Sequence, residues 1–122
     1  MKKQMNCHNR KTHKMDHYLE ICLLMILIKT SSYGYDLLTN LSDFGFTKDE
    51  LNAGTLYRVL RRMEEHDLVS SAWEPSSQGP DKRIYEITIL GKKELNDWIH
   101  MLKERQERIS FLINCYEEVK KQ

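Results

Sequence analysis

Apolar and polar positions change period twice along the chain, and the changes divide it into elements. The opening MKKQMNCHNRKTHK is polar, basic and without apolar period, so residues 1–15 read as a flexible arm. A helix is expected from about Asp16 to Lys29, with Asp16 as N-cap and Glu20 one turn in, where a negative charge suits the helix dipole. Its stretch Ile21–Ile28 is apolar on every side and needs cover on more than one face. One face meets its own domain, and the other, carrying Leu24, is assigned to a partner chain. Ser31, Ser32 and Gly34 break the pattern. A short helix from about Tyr33 to Leu41 follows, with Tyr35, Leu37, Leu38 and Leu41 as its packing set. Asp43-Phe44-Gly45-Phe46 is a turn, and Thr47 or Lys48 to Leu51 adds a short helical turn. Asn52 caps a third helix, about Ala53 to His66, in which Leu56, Leu60 and Met63 face inward with Val59 at the edge. Thr55, Arg58, Arg61 and Arg62 fall on the other side, and Asp67 closes the helix.

The period then drops to two. Leu68–Trp73 and Arg83–Thr88 read as strands joined by the turn-rich Glu-Pro-Ser-Ser-Gln-Gly-Pro-Asp-Lys. From Thr88, as N-cap, to Val119 the chain reads as one long helix with Gly91 a weak point in its first turn. Leu95, Trp98, Leu102, Ile109, Leu112, Tyr116 and Val119 follow a 4-3 alternation that only Arg105 interrupts. A helix of roughly 30 residues is about 45 Å long, more than the preceding unit covers. Such a sustained stripe is a seam for another helix.

Three helices, a hairpin and a long helix give the outline of a winged helix-turn-helix: mainly α with a small β-hairpin wing. The expected division is 16–88 for this domain and 89–122 for a C-terminal dimerisation helix. In such a unit the outward face of the third helix is free to enter a major groove about 12 Å wide. Arginine suits that face, because its fork donates to phosphate and to guanine O6/N7. Lys82 and Arg83, at the far side of the hairpin loop, are placed to reach phosphates or the minor groove.

Composition narrows the class. The chain has 122 residues, 40% hydrophobic and 30% charged, with five Gly and two Pro, which excludes collagen-like, low-complexity and wholly disordered readings. The net charge of +1 hides local patches. Lys2, Lys3, Arg10, Lys11 and Lys14 have no acid among them, nor have Arg58, Arg61 and Arg62. Cys7, Cys22 and Cys115 are odd in number and widely spaced, so a disulfide framework is not expected and a reducing cytosol is. The run Ile21–Ile28 is too short to span a bilayer.

The residues Gly54-Thr55-Leu56-Tyr57-Arg58-x-Leu60-x-x-Met63-Glu64, Leu68-Val69, Trp73-Glu74, Gly79-Pro80-x-x-Arg83-x-Tyr85-x-Ile87-Thr88-x-x-Gly91 and Leu95-x-x-Trp98 stand in this order. The string, from about Tyr18 to Trp98, resembles the PadR family of bacterial transcriptional regulators. The resemblance implies a homodimeric repressor whose C-terminal helix packs against the partner's N-terminal helix. It also implies that Thr55, Tyr57 and Arg58 lie on the DNA-reading helix and that Gly79–Arg83 is the wing tip. Asn52-Ala53 stands where many members carry Pro, a departure at the start of the helix. The short chain after Trp98 resembles the compact branch without a large C-terminal domain. Cys7-His8-Asn9-Arg10-Lys11-Thr12-His13 with Tyr18-Leu19-x-x-Cys22-Leu23-Leu24 is similar to a narrower group, the PadR-like repressors of polyhydroxybutyrate storage genes.

Plainer readings stand beside these. The arginines of the third helix also suit a solvated face paired with Glu64 and Glu65, and Tyr57 a core ring with a wet hydroxyl. Cys7, His8, His13 and His17 match no zinc spacing, so no metal or other cofactor is expected. Trp98 suits dimer core or the wall of an inducer pocket between subunits. Cys22 and Cys115 are read as buried small apolar groups. No Ser-His-Asp order, H-E-x-x-H or P-loop occurs, so no enzyme is expected. Double-stranded DNA, a second copy of the chain and a small-molecule or protein inducer are the expected partners, with no membrane. The alternative is a winged-helix module used for protein contacts.

Overall fold

The apolar run Ile21–Ile28 sits at the end of a helix longer than its own pattern. In the computed structural model, which describes residues 7–47 and 49–122, this helix α1 spans Cys7–Leu27. Strand β1 (Ser32–Tyr33), helix α2 (Gly34–Asn40) and a 3-10 turn (Leu41–Phe44) come next. Helix α3 (Ala53–Glu65), strands β2 (Val69–Glu74) and β3 (Lys82–Ile87), and helix α4 (Ile89–Lys121) complete the order. Asp16 therefore lies inside α1 rather than capping it, and the part of the expected arm from Cys7 onward is helical. The physical reason is propagation. Residues 7–15 contain no Gly or Pro, and extending an existing helix costs far less than starting one.

The caps of α3 and α4 are local and match the residue types that predict them. The Asn52 side chain accepts from the Thr55 N–H at 2.9 Å, and the Thr88 hydroxyl accepts from the Gly91 N–H at 2.9 Å. At the end of α3, Asp67 takes a left-handed φ of 62°, and the Leu68 N–H returns to the Met63 carbonyl at 2.9 Å. This is the six-to-one bond that closes many helices. The turn delivers the chain straight into β2.

The sheet is antiparallel with strand order β1-β3-β2. Two of its pairings shape the surface beside α3: Tyr33 lies beside Ile84, and Trp73 opposite Arg83. The sequence pattern does not reveal β1, because two residues are too few to show a period; Tyr33 pairs in the sheet instead of starting α2. Leu37 of α2 and Leu41, which opens the 3-10 turn, are buried one turn apart, which leaves Tyr35 on the opposite side, 74% exposed rather than in the packing set.

The core joins α1, α2, α3, the sheet and the first turns of α4 through Leu23, Leu37, Leu56, Leu60, Met63 and Val69. Two residues assigned to the dimer seam belong to it. Leu24 is 0% exposed and Leu95 4%. Most of the apolar run of α1 is thus covered from within its own domain, by α3, β3 and α4, while Met25 and Ile26 are partly buried and Ile28 just beyond the helix is exposed. Cys22 is buried, and burial pushes its thiol up. Cys115 is exposed, against expectation, because α4 has by then left the core. Every residue from 103 to 122 is exposed. No helix among the described residues is long and apolar enough to cross a membrane.

Candidate nucleic-acid interface

Helix α3 buries Leu56, Val59, Leu60 and Met63. At 100° per residue this sends Arg58 and Arg61 to the opposite side, where both are exposed. Neither has an ion pair among the described residues. Thr55 sits half-buried in the first turn. Tyr57 is exposed at 41% and lies against the backbone of Gly34, so close that a Cβ there would meet its hydroxyl at 2.5 Å. A side chain at position 34 would push the phenol out of place.

Arg62 departs from the expected set. It lies on the flank of α3 facing α1, and its guanidinium meets the buried Glu20 at 3.4 Å. Removing it leaves a carboxylate without this partner in a site almost closed to water. Arg62→Ala is therefore expected to lower stability by about 1–3 kcal/mol. Arg58→Ala should stay within about 0.5 kcal/mol of the parent, since it leaves an exposed site. Urea titration of both variants checks this; coincident midpoints would remove Arg62 from the framework.

Arg83 is also committed internally. Its Nη2 lies 3.6 Å from Glu64 of α3, its Nε donates to Ser71 Oγ at 2.9 Å, and Ser71 donates to Glu64 at 2.8 Å. The guanidinium lies over the Trp73 ring, 5.1 Å from its centroid. It ties the hairpin to α3 instead of extending from the wing tip. Lys82, one residue earlier, is exposed with its ammonium 5.4 Å from the Tyr33 ring. The Tyr33 hydroxyl donates to Glu74, a bond that raises the phenol above its usual range.

Between α3 and the hairpin these residues enclose a cleft of about 630 Å³. Tyr33, Tyr35, Tyr57, Tyr85 and Trp73 line it together with Arg61, Lys82 and Arg83. Tyr33, Tyr35 and Trp73 are not among the sequence-derived candidates. Trp73 stands in the string that resembles the PadR family, whereas for Tyr33 and Tyr35 the signal is aromatic character close to a turn, which is common in cores.

The remaining dimer candidates divide along α4. Trp98 is partly buried, with its ring 4.9 Å from that of His17, and Leu102 packs at the edge of the core. Ile109, Leu112 and Tyr116 continue the same helix face at 57%, 68% and 61% exposure. The side chains of Cys7, His8 and His13 lie outside the described residues; among those described, no cluster of His, Cys, Asp and Glu is arranged to hold a metal ion.

A three-helix unit whose third helix is braced by a hairpin, with a long helix leaving the core, is a winged helix-turn-helix protein. The chain belongs to the PadR-like family of transcriptional regulators, whose family model matches residues 23–97. A PadR-like transcription factor of Bacteroides fragilis is 30% identical, with a TM-score of 0.76 over 85% of this chain and 98% of its own. A PadR-like transcriptional regulator of Bacillus cereus is 29% identical, with a TM-score of 0.71 over 83% and 96%. The fold is also that of Bacillus subtilis PadR in complex with operator DNA, at 23% identity and a TM-score of 0.60 over 67% of this chain and 46% of that one.

Proposed function

We propose that the chain is a sequence-specific DNA-binding regulator, non-catalytic, acting in the cytoplasm as a homodimeric repressor on a palindromic operator. The observation that carries the reading is the outward face of α3. Arg58 and Arg61 stand there without ion pairs among the described residues, beside Lys82 on the hairpin, while Arg62 and Arg83 hold the scaffold. Binding of operator DNA by the Bacillus subtilis relative of the same fold supports it. In this reading Thr55, Tyr57, Arg58 and Arg61 face the major groove and Lys82 the wing contact.

The exposed stripe Ile109, Leu112 and Tyr116 is the seam for the second copy. Two-fold symmetry then spaces the half-sites about 34 Å apart, one helical turn. An effector that changes the angle between the two long helices changes that spacing and releases the operator, provided it binds one of the two states more tightly. The narrower likeness to polyhydroxybutyrate-storage repressors rests on residues 7–13, whose side chains lie outside the described residues, and on Tyr18-Leu19-x-x-Cys22-Leu23-Leu24, and neither the fold nor the similar proteins support it.

Fluorescence anisotropy on duplex selected by the protein from a random pool tests the reading. Affinity should fall steeply with salt, and Arg58→Ala should cost about 1–3 kcal/mol on the selected sequence. Equal affinities for Arg58→Ala and the parent would take Arg58 out of the interface. No binding to any duplex at low salt would leave the fold to protein contacts.

A further inference from the structure

The cleft between α3 and the hairpin carries four phenols that are not equivalent. Tyr85 is buried, and burial pushes its hydroxyl up. Tyr33 is bound to Glu74. The hydroxyls of Tyr35 and Tyr57 make no hydrogen bond among the described residues, and both rings are exposed. The charges divide in the same way. Arg83 and Glu64 neutralise each other, and Asp81 accepts from the Ser76 N–H at 3.3 Å. Arg61 on α3, Lys82 on β3 and Asp36 in the first turn of α2 have no ion pair among the described residues.

A helix in a major groove and a hairpin in the neighbouring minor groove are separated by one strand of the duplex. That strand has to cross the cleft between α3 and the hairpin. Resting on the proposed DNA-binding function, we infer that the cleft is a phosphodiester seat in which the Tyr35 and Tyr57 hydroxyls donate to backbone phosphate between Arg61 and Lys82. Phenols suit the task. Each is a rigid donor on an apolar ring, and a neutral donor orients a phosphate oxygen without adding another charge to a crowded wall. Gly34 keeps the Tyr57 ring seated, since only a residue without a Cβ admits it. Asp36 gives the site a sign: its carboxylate repels the strand that the phenols hold.

Contacts to phosphate are indifferent to sequence, so a labelled random-sequence duplex of about thirty base pairs is a sufficient probe. The full-length chain is titrated at low salt by anisotropy. Tyr35→Phe and Tyr57→Phe, which delete one oxygen each, are expected to weaken binding by about three- to tenfold, with unchanged melting curves. Lys82→Met should reduce the slope of log affinity against log salt by about one. Asp36→Asn should tighten binding by about two- to fivefold, a gain that damage to the fold does not produce. Wild-type affinity in both Phe variants and in Asp36→Asn, with Arg58→Ala still impaired on selected duplex, overturns the seat and leaves the DNA reading standing. Failure of the parent chain to bind the random duplex at low salt overturns both.

Discussion

Replacing Gly91 by alanine is expected to destabilise the chain by about 3 kcal/mol and to lower Tm by on the order of 10 °C. The change looks favourable by helix propensity alone, since alanine in a helix is better than glycine by about 1 kcal/mol. The fold reverses the sign. A Cβ at position 91 would stand 2.2 Å from the Leu68 carbonyl oxygen, a backbone atom, and 2.8 Å from Ile87. That carbonyl also accepts from the Thr88 N–H at 3.1 Å, so α4, the end of β3 and the turn after α3 meet at one point. None of the three can withdraw without loosening the other two. The close approach sets the angle at which α4 leaves the domain, so the variant should also misplace the long helix. Gly79→Ala is the control, because a Cβ there meets nothing within 4 Å. Thermal melts decide: a Gly91→Ala protein melting with the parent would show that this contact does not hold α4.

Leu112→Glu is expected to convert the proposed dimer into monomers while leaving each chain folded. Leu112 is exposed and belongs to the stretch of α4 beyond the core, so its loss should change single-chain stability by less than about 0.5 kcal/mol. In the seam between two copies it would place a carboxylate from each chain in an apolar stripe. Sedimentation at micromolar concentration should then report a single chain. Operator affinity should fall by a factor on the order of 10² to 10⁴, because the second half-site is no longer bound through a linked partner. Phe111→Glu separates this from a general effect of charge. Phe111 is equally apolar and exposed, but it lies about 150° around the helix from the stripe. Dimeric Leu112→Glu would refute the assigned seam.

Most of the architecture is written in local patterns. The inward set of α3 follows from its 3.6-residue period, the Asn52 and Thr88 caps from residue type, and both hairpin strands lie within about a residue of the period-two runs. Each of these depends on neighbours within one or two turns. The extension of α1 back to Cys7 is not legible in the pattern, because polar residues without a stripe carry no periodic signal, although nothing in them breaks a helix.

The site was legible as a helix face, and only partly as a list of residues. Composition and spacing alone placed a cationic face on the third helix, a turn-rich wing beside it and an apolar stripe along the last helix. Which polar side chains are already committed depends on contacts between distant segments. Glu20 and Arg62 are 42 residues apart in the chain, and Tyr33 and Glu74 are 41 apart. Period and propensity describe which side of an element is apolar; they do not say which element covers that side. Packing decided that Leu24 and Leu95 lie inside their own domain, that Arg62 and Arg83 brace α3, and that Tyr35, Tyr57 and Trp73 converge on one cleft.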